Sequence, residues 1–497
     1  MIFNEIPQTR VPGQYVEFAV SNLRGGLSTL NYKALLINQG TDAGSKAAKT
    51  LVKISNADQA GAFFGFGSGL HLAAKSFYRN NSISEVWAIA VTMDALATPT
   101  DKAVGSIQIT GAATAAGTIK LYVSGRRIEV SVASGDAVAT IAAAIAAKIN
   151  GGDYPDLPVV TTVATDTVTF TAKNLGLEGN DINIRTNYYE GEVDPAGVTY
   201  TITAMTGGLN TPSILDGTPS VITQLGDIWF QIVHMPYTDD TNWNALRDEL
   251  DRRFGPTTQI DGVAFTAKAD TVANLVTFGV GKNTKQISAM GLYAVPTTPN
   301  EFSAAVCGQV AQALAAGNGS EARPFQTLEL KGVLPPSEGS RFLFSEQDSL
   351  LKNGISTFTV DSAGVVRIQR LITTYQKNES GGADATWLDV NTRFTAMFIR
   401  YDWVTLLKSK YPRTKLAGDT SNVGPGQAII TPKLAKAEAI SRFSEWEAAG
   451  LVEDLEFFKA NLIVERDPTD VNALNWFLPT DFVNQFRVGK TQIGVIL

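Results

Sequence analysis

At 497 residues, 44% of them hydrophobic and 18% charged, the chain is long enough for about three domains with buried cores. A net charge of −7 argues against a nucleic-acid binder, which needs a basic face to displace counterions. A single cysteine, Cys307, excludes an internal disulfide or a multi-cysteine zinc site, and two histidines leave few general bases or metal ligands.

After proline punctuation, Tyr15, Glu17 and Ala19 alternate with Val16, Phe18 and Val20. This predicts a short amphipathic strand that folds back on its own sheet or adds to a neighbour's edge. No basic start with an apolar run marks a signal peptide. Lys33–Asn38 (KALLIN) reads as the first core strand. Residues 56–80 place Ala60, Phe63 and Phe64, then Leu70, Ala73, Ala74 and Phe77, at helical spacing around Gly65-Phe66-Gly67-Ser68-Gly69. Those glycines match neither G-x-G-x-x-G nor G-x-x-x-x-G-K-[ST], so they read as a break between two helices. With a strand at 85–91 this makes a β-α-α-β unit.

From about residue 95 to 211 the composition turns rich in Thr, Ala, Val and Gly. Strands are expected at 106–110, 118–123, Arg126–Val132, 159–163, Thr167–Ala172 and 182–188. One helix is expected at 137–149 with Asp136 as N-cap, too short to span a bilayer. Because α/β patterning resumes afterwards, this small α+β domain reads as an insertion. Strands at 229–234, 262–266 and 286–290 then alternate with helices at 242–254, 269–278 and 301–316. Such alternation implies a mainly parallel sheet covered by helices.

Residues 353–375, NGISTFTVDSAGVVRIQRLITTY, read as two strands around Asp361-Ser362-Ala363-Gly364. The second strand mixes alternation with paired apolar residues and is expected to be buried on most of its surface, with Arg367 and Arg370 snorkelling or paired to carboxylates. A helix at 390–410 carries the stripe Phe394, Met397, Phe398, Tyr401, Val404 and Leu407. The basic run Lys408, Lys410, Arg413 and Lys415 follows, which suits a solvated helix exit or a contact with an acidic partner. Ile430-Thr431-Pro432 opens another helix, and strands are expected at 461–466, 473–478 and 485–497. The last carries Phe486, Val488, Ile493 and Val495 and stays apolar to its end, so it needs a partner sheet, its own or a neighbour's.

For hydrolytic chemistry the one suggestive residue is His234, at the end of a parallel-type strand with Asp239 and Asp240 close behind. The chain has no G-x-S-x-G elbow, and a structural histidine is the simpler reading. Asp239-Asp240 and Glu453-Asp454 lack hard-ion loop spacing, and Gly489-Lys490-Thr491 lacks the first glycine of a phosphate loop. No catalytic, cofactor or metal site is assigned.

Several blocks together carry a family resemblance: PGQYVEF at 12–18, FFGFGSGL at 63–70, GNDI at 179–182, and NGI…VRIQRLITTY followed by Trp387-Leu388-Asp389-Val390-Asn391-Thr392. They resemble contractile phage tail sheath proteins, particularly the Mu-like group, with pyocin and type VI secretion sheaths as further relatives. The resemblance implies a multidomain α/β plus α+β fold. Its parts are an N-terminal arm (1–25), a subtilisin-like-topology α/β domain (26–94 and 212–343), an inserted β-rich protruding domain (95–211), a C-terminal α+β domain (344–484) and a C-terminal arm strand (485–497). It implies a structural subunit, not an enzyme, without cofactor, nucleic acid or membrane anchor. Its partners would be copies of itself in hexameric rings, the tail tube protein, and baseplate and tail terminator proteins. Assembly would occur in the host bacterial cytoplasm and the product would be part of the virion. Subunit contacts would fall on Tyr15, Val16, Glu17 and Phe18 and on Phe486, Val488, Ile493 and Val495, with tube contact through Lys408, Lys410, Arg413 and Lys415. An α/β hydrolase and a non-contractile surface-array protein are the competing readings.

Overall fold

The computed structural model describes residues 26–92, 101–317, 319–421, 424 and 426–495. Packing divides the chain into a larger unit, Asn31–Phe398 with Asn484–Leu497, and a smaller one, Ile399–Val483 with the residues up to Leu30.

The larger unit begins with β1 (Lys33–Asn38), β2 (Val52–Ile54), α1 (Ala57–Phe64), α2 (Gly69–Asn80) and β3 (Glu85–Ala90). Two caps explain the break between the helices. Gly65 leaves α1 with φ +88°, and the Ser68 hydroxyl accepts the His71 N–H to start α2. Next come β4 (Val104–Gly111), β5 (Gly117–Val123), β6 (Arg126–Val132), α3 (Val138–Asn150), β7 (Val159–Ala164), β8 (Thr167–Ala172), β9 (Ile184–Thr186) and β10 (Thr199–Thr206). The chain then runs through α4 (Val221–Gln224), β11 (Ile232–His234), α5 (Asp240–Phe254), β12 (Val263–Ala269), α6 (Val272–Lys282), β13 (Ile287–Leu292) and α7 (Pro299–Leu314).

Strands from before and after residues 101–211 join in one six-stranded sheet, order β13-β12-β11-β1-β3-β2, parallel except for the antiparallel edge strand β2. Both faces are buried, which is why these strands read as nearly continuous apolar runs. Leu35, Ile37, Val233, Ala264 and Ile287 pack with Trp243, Leu246 and Leu250 of α5. Helices α2 and α7 cover the other face, pressed so close that a Cβ on Gly308 would stand 2.5 Å from the Phe77 carbonyl oxygen. Each fully buried Leu, Ile or Phe contributes roughly 1.5–3 kcal/mol, so this two-sided core dominates the unit's stability.

Residues 103–206 carry a core of their own, with Ile107, Ile119, Ile128, Ile141, Ile145 and Phe170 fully covered between sheets β10-β4-β8-β7 and β6-β5-β9 and helix α3. A buried ion cluster ties it to the large sheet's helices. Arg126 donates to Asp156 (Nε, 2.6 Å) and to Glu301 of α7 (Nη2, 2.7 Å), and Lys75 of α2 also pairs with Asp156. Two expectations change here. Asp136 is not the cap of α3: Ala137 holds that position without a side-chain bond, because the Asp136 carboxylate is engaged by the Ala133 N–H at 2.8 Å. Strand β10, absent from the sequence reading, pairs antiparallel with β4 and has a largely exposed, threonine-rich face.

After α8 (Phe344–Lys352), the strands β14 (Thr357–Val360) and β15 (Val366–Arg370) form the expected hairpin, followed by α9 (Val390–Lys410). The hairpin is a two-stranded sheet of its own, and the residues flanking it bond to β13 of the large sheet. Ser356 N–H donates to Ala289 O (2.8 Å) and Thr374 N–H to Ile287 O (3.1 Å), while residues 327–330 cover the far edge of β15. Ile355, Val366, Ile368, Leu371 and Ile372 are all 2% exposed or less, and both arginines find carboxylates: Arg367 on Asp361 (2.9 Å), Arg370 on Asp389 (3.0 Å). The division between the units falls inside α9. Phe394, Met397 and Phe398 are buried in the larger unit, whereas Tyr401, Val404 and Leu407 are only half-buried.

The smaller unit adds β16 (Lys415–Leu416), β17 (Ile429–Ile430), α10 (Pro432–Ala448), β18 (Val452–Glu453), α11 (Leu455–Asn461), β19 (Ile463–Arg466), β20 (Leu474–Phe477) and β21 (Asp481–Phe482). Its centre is the fully buried Asp402, which receives the Arg442 guanidinium on both oxygens, Trp446 Nε1 (2.7 Å) and the Ser28 N–H (2.8 Å). No helix among the described residues is long and apolar enough to cross a membrane.

Arg126→Ala would leave Glu301, 5% exposed, charged without its guanidinium. The expected cost in urea denaturation is about 3–5 kcal/mol. Arg127→Ala, at a side chain 43% exposed, should cost less than about 1 kcal/mol.

Candidate assembly surface

In open α/β sheets the ordinary place for chemistry is the crevice outside the carboxyl ends of the strands, where the order reverses. Here that point lies between β1 and β11, and a 230 Å³ cavity beside it is lined by Glu178, Asp181, Tyr237, Asp239, Lys268 and Asn300 among others. His234 does not open into it. The imidazole is 0% exposed, with Nε2 2.8 Å from Asn300 Oδ1 and Nδ1 3.2 Å from Ser303 Oγ. The Ser303–His234 pair, which sequence spacing could not reveal, is sealed beneath α7, and the hydroxyl also donates to the Pro299 carbonyl. Burial lowers His234 to about 4, so it is neutral. Asp239 caps α5 and Asp240 pairs with Lys282, so neither orients the ring as a triad acid would. Cys307, likewise fully buried, acts as a small hydrophobe, its thiol pushed up by burial. Among the described residues no group of three or more His, Cys, Asp or Glu could hold a metal ion.

The surface is more informative. Residues 485–495 form no strand, and the expected ladder has no partner edge among the described residues. From 485 to 488 the side chains alternate in an inverted sense. Gln485 and Arg487 are turned toward the protein, while Phe486 and Val488 stand 81% and 71% exposed. Ile493 and Val495 are 83% and 79% exposed. Phe486 and Val488 occupy even positions and Ile493 and Val495 odd ones, so only a bulge within 489–492 would bring all four to one face of a strand.

In the smaller unit the two-stranded sheet β19-β20 has no further neighbour among the described residues, and its cross-strand pair Ile463 and Phe477 is 53% and 58% exposed. Lys408, Lys410, Arg413 and Lys415 are all exposed, although Lys410 is held by Glu438 and Lys415 donates to Gln427 Oε1 (3.1 Å). Tyr15, Val16, Glu17 and Phe18 lie outside the described residues.

Comparison with known proteins identifies the family. The phage tail sheath protein central domain family matches residues 207–374 and the phage tail sheath C-terminal domain family residues 382–494. The Mu-like prophage FluMu tail sheath protein of Haemophilus influenzae is 38% identical over 496 residues, covering 100% of this chain and 99% of that one. The chain belongs to the phage tail sheath protein family. Solved sheath tail proteins from Desulfitobacterium hafniense (12% identical, TM-score 0.47, 95% of this chain and 100% of that one) and Listeria innocua (13%, 0.47, 92% and 93%) are similar along most of their lengths. In the tail sheath chain the two family matches meet between residues 374 and 382, just after the hairpin. That junction lies C-terminal to the boundary expected at residue 344.

The crevice makes a pH prediction. Desolvation at the crevice raises the half-buried Glu178 from its ordinary 4.5 to about 8. The folded state therefore keeps protons that the unfolded chain has released, and stability falls as pH rises through that window. His71 and His234, lowered to about 4, act oppositely and only below their ordinary 6.5. Between pH 6.5 and 8 Glu178 dominates, so Glu178→Gln should flatten the pH dependence of thermal unfolding there.

Proposed function

We propose that this chain is the structural subunit of a contractile tail sheath. Copies stack as hexameric rings around a tail tube, and contraction drives the tube through the host envelope. The observation that carries the reading is the C-terminal arm, in which Gln485 and Arg487 are turned inward while Phe486, Val488, Ile493 and Val495 are exposed, with no strand partner among the described residues. Solvent is a poor neighbour for such apolar side chains, and an adjacent copy's strand edge is a good one. The N-terminal stretch Tyr15, Val16, Glu17 and Phe18 is the second arm in this reading, and the β-rich domain around residues 103–206 is the outward knob on a subtilisin-like α/β core. Extended arms bend without losing ladder hydrogen bonds, so rigid units slide while the links persist. Contraction is then a passage between two packings, the extended one metastable until a baseplate releases it. A tail terminator closes the far end, assembly takes place in the host bacterial cytoplasm, and the product resides in the virion. Catalysis has no part in this reading, since His234 is sealed from solvent.

Negative-stain electron microscopy of concentrated protein should show hollow striated tubes. Removing residues after Gln485 should leave a folded monomer that forms none; tubes from the truncated chain would refute the arm assignment. If the basic run meets an acidic tube wall, Lys408→Glu combined with Arg413→Glu should abolish co-sedimentation with the tube protein yet spare self-assembly. Binding by the unaltered chain should weaken with salt.

A further inference from the structure

Among the described residues the C-terminal arm is tied down at its root. Arg487 Nη2 forms an ion pair with Asp389 Oδ1 (3.0 Å) and donates to Gln485 Oε1 (2.9 Å) and to Asn391 Oδ1 (3.5 Å), and its side chain is 13% exposed. Beside it the Gln326 amide donates to the Phe486 carbonyl at 3.3 Å. Residues 489–495 are exposed, and an added Cβ on Gly494 would meet nothing within 4 Å. Asp389 does not need Arg487 for its charge balance. Arg370 already holds both carboxylate oxygens, at 3.1 and 3.0 Å, so the cluster carries two guanidinium groups on one carboxylate. One arginine belongs to the hairpin; the other serves only the arm.

We infer that Arg487 is a positioning residue for assembly. By gripping Asp389 it pins the root of the arm with Phe486 and Val488 facing outward, and so sets the direction in which the remaining residues leave toward a second copy of this chain. This rests on the assembly reading above. An arm with a fixed root has less freedom to lose on docking, which favours association without adding a contact.

The test compares the full-length chain with Arg487→Ala and Arg487→Lys. Because Arg370 keeps Asp389 paired, Arg487→Ala should shift Tm by less than about 2 °C. It should raise the concentration at which tubes form about tenfold, equivalent to about 1.4 kcal/mol. Lysine, a point charge without the fork, should restore only part of this. A nitroxide on Val488→Cys reads the pin without assembly, since the native Cys307 is fully buried. Its spectrum in the monomer should sharpen in Arg487→Ala. An unchanged spectrum, an unchanged tube threshold, or a large fall in Tm would each overturn the inference. If the unaltered chain forms no tubes, the assembly reading fails, while the nitroxide spectrum still decides whether Arg487 pins the arm.

Discussion

The carboxylate of Asp389 stands where three parts of the larger unit meet. The residue precedes the first turn of α9, its main chain forms a β-bridge with Ile372 at the exit of the hairpin, and its carboxylate takes Arg370 from that hairpin and Arg487 from the terminal arm. Partly covered and bidentate to one guanidinium, it is a stronger anchor than a surface ion pair, whose contribution is usually under ~1 kcal/mol. The residues flanking the hairpin are in turn welded by main-chain hydrogen bonds to β13, the edge of the six-stranded sheet. Displacing this aspartate would disturb the hairpin, the helix start and the arm root together.

A comparable economy commits the enzyme-like features of the scaffold to structural contacts. The sheet, its switch point and even a Ser303–His234 contact are of the kind hydrolases use. The difference lies in access and charge. Asn300 and α7 close over the ring, burial keeps it neutral, and the nearby aspartates are committed to a helix cap and a lysine. The buried polar chain from His234 through Asn300 to Asn38 joins the N-terminus of α7 to the strand ends, which is a mechanical role.

Rigidity and exposure are divided accordingly. The sheet core, the Arg126–Glu301–Asp156 cluster and the Asp402–Arg442–Trp446 cluster are shielded and densely hydrogen-bonded. The large exposed apolar side chains include those on short, two-stranded or unpaired segments: Ile463, Phe477, Phe486, Val488, Ile493 and Val495. Unsatisfied strand edges beside apolar stripes are what a subunit joined by strand exchange would present.

Much of this was legible in the residues because the signals are local. Apolar periodicity placed β1, the two helices split at Gly65–Gly69, β6, β8 and α9 at or within a residue or two of their observed ends. The quoted blocks carry the family in the residues alone. Strand β10 was missed because half its face is solvent-exposed threonine, and the Asp136 cap because a neighbouring turn claimed the carboxylate. Local pattern also cannot say which sheet a hairpin's flanks bond to, that Ser303 meets His234 across 69 positions, or that one aspartate serves two arginines. Those depend on which distant segments the fold brings within hydrogen-bonding distance. The last segment shows the same division of labour: its apolar residues are written in the sequence, but a strand exists only beside a partner, and the described residues pair it with none.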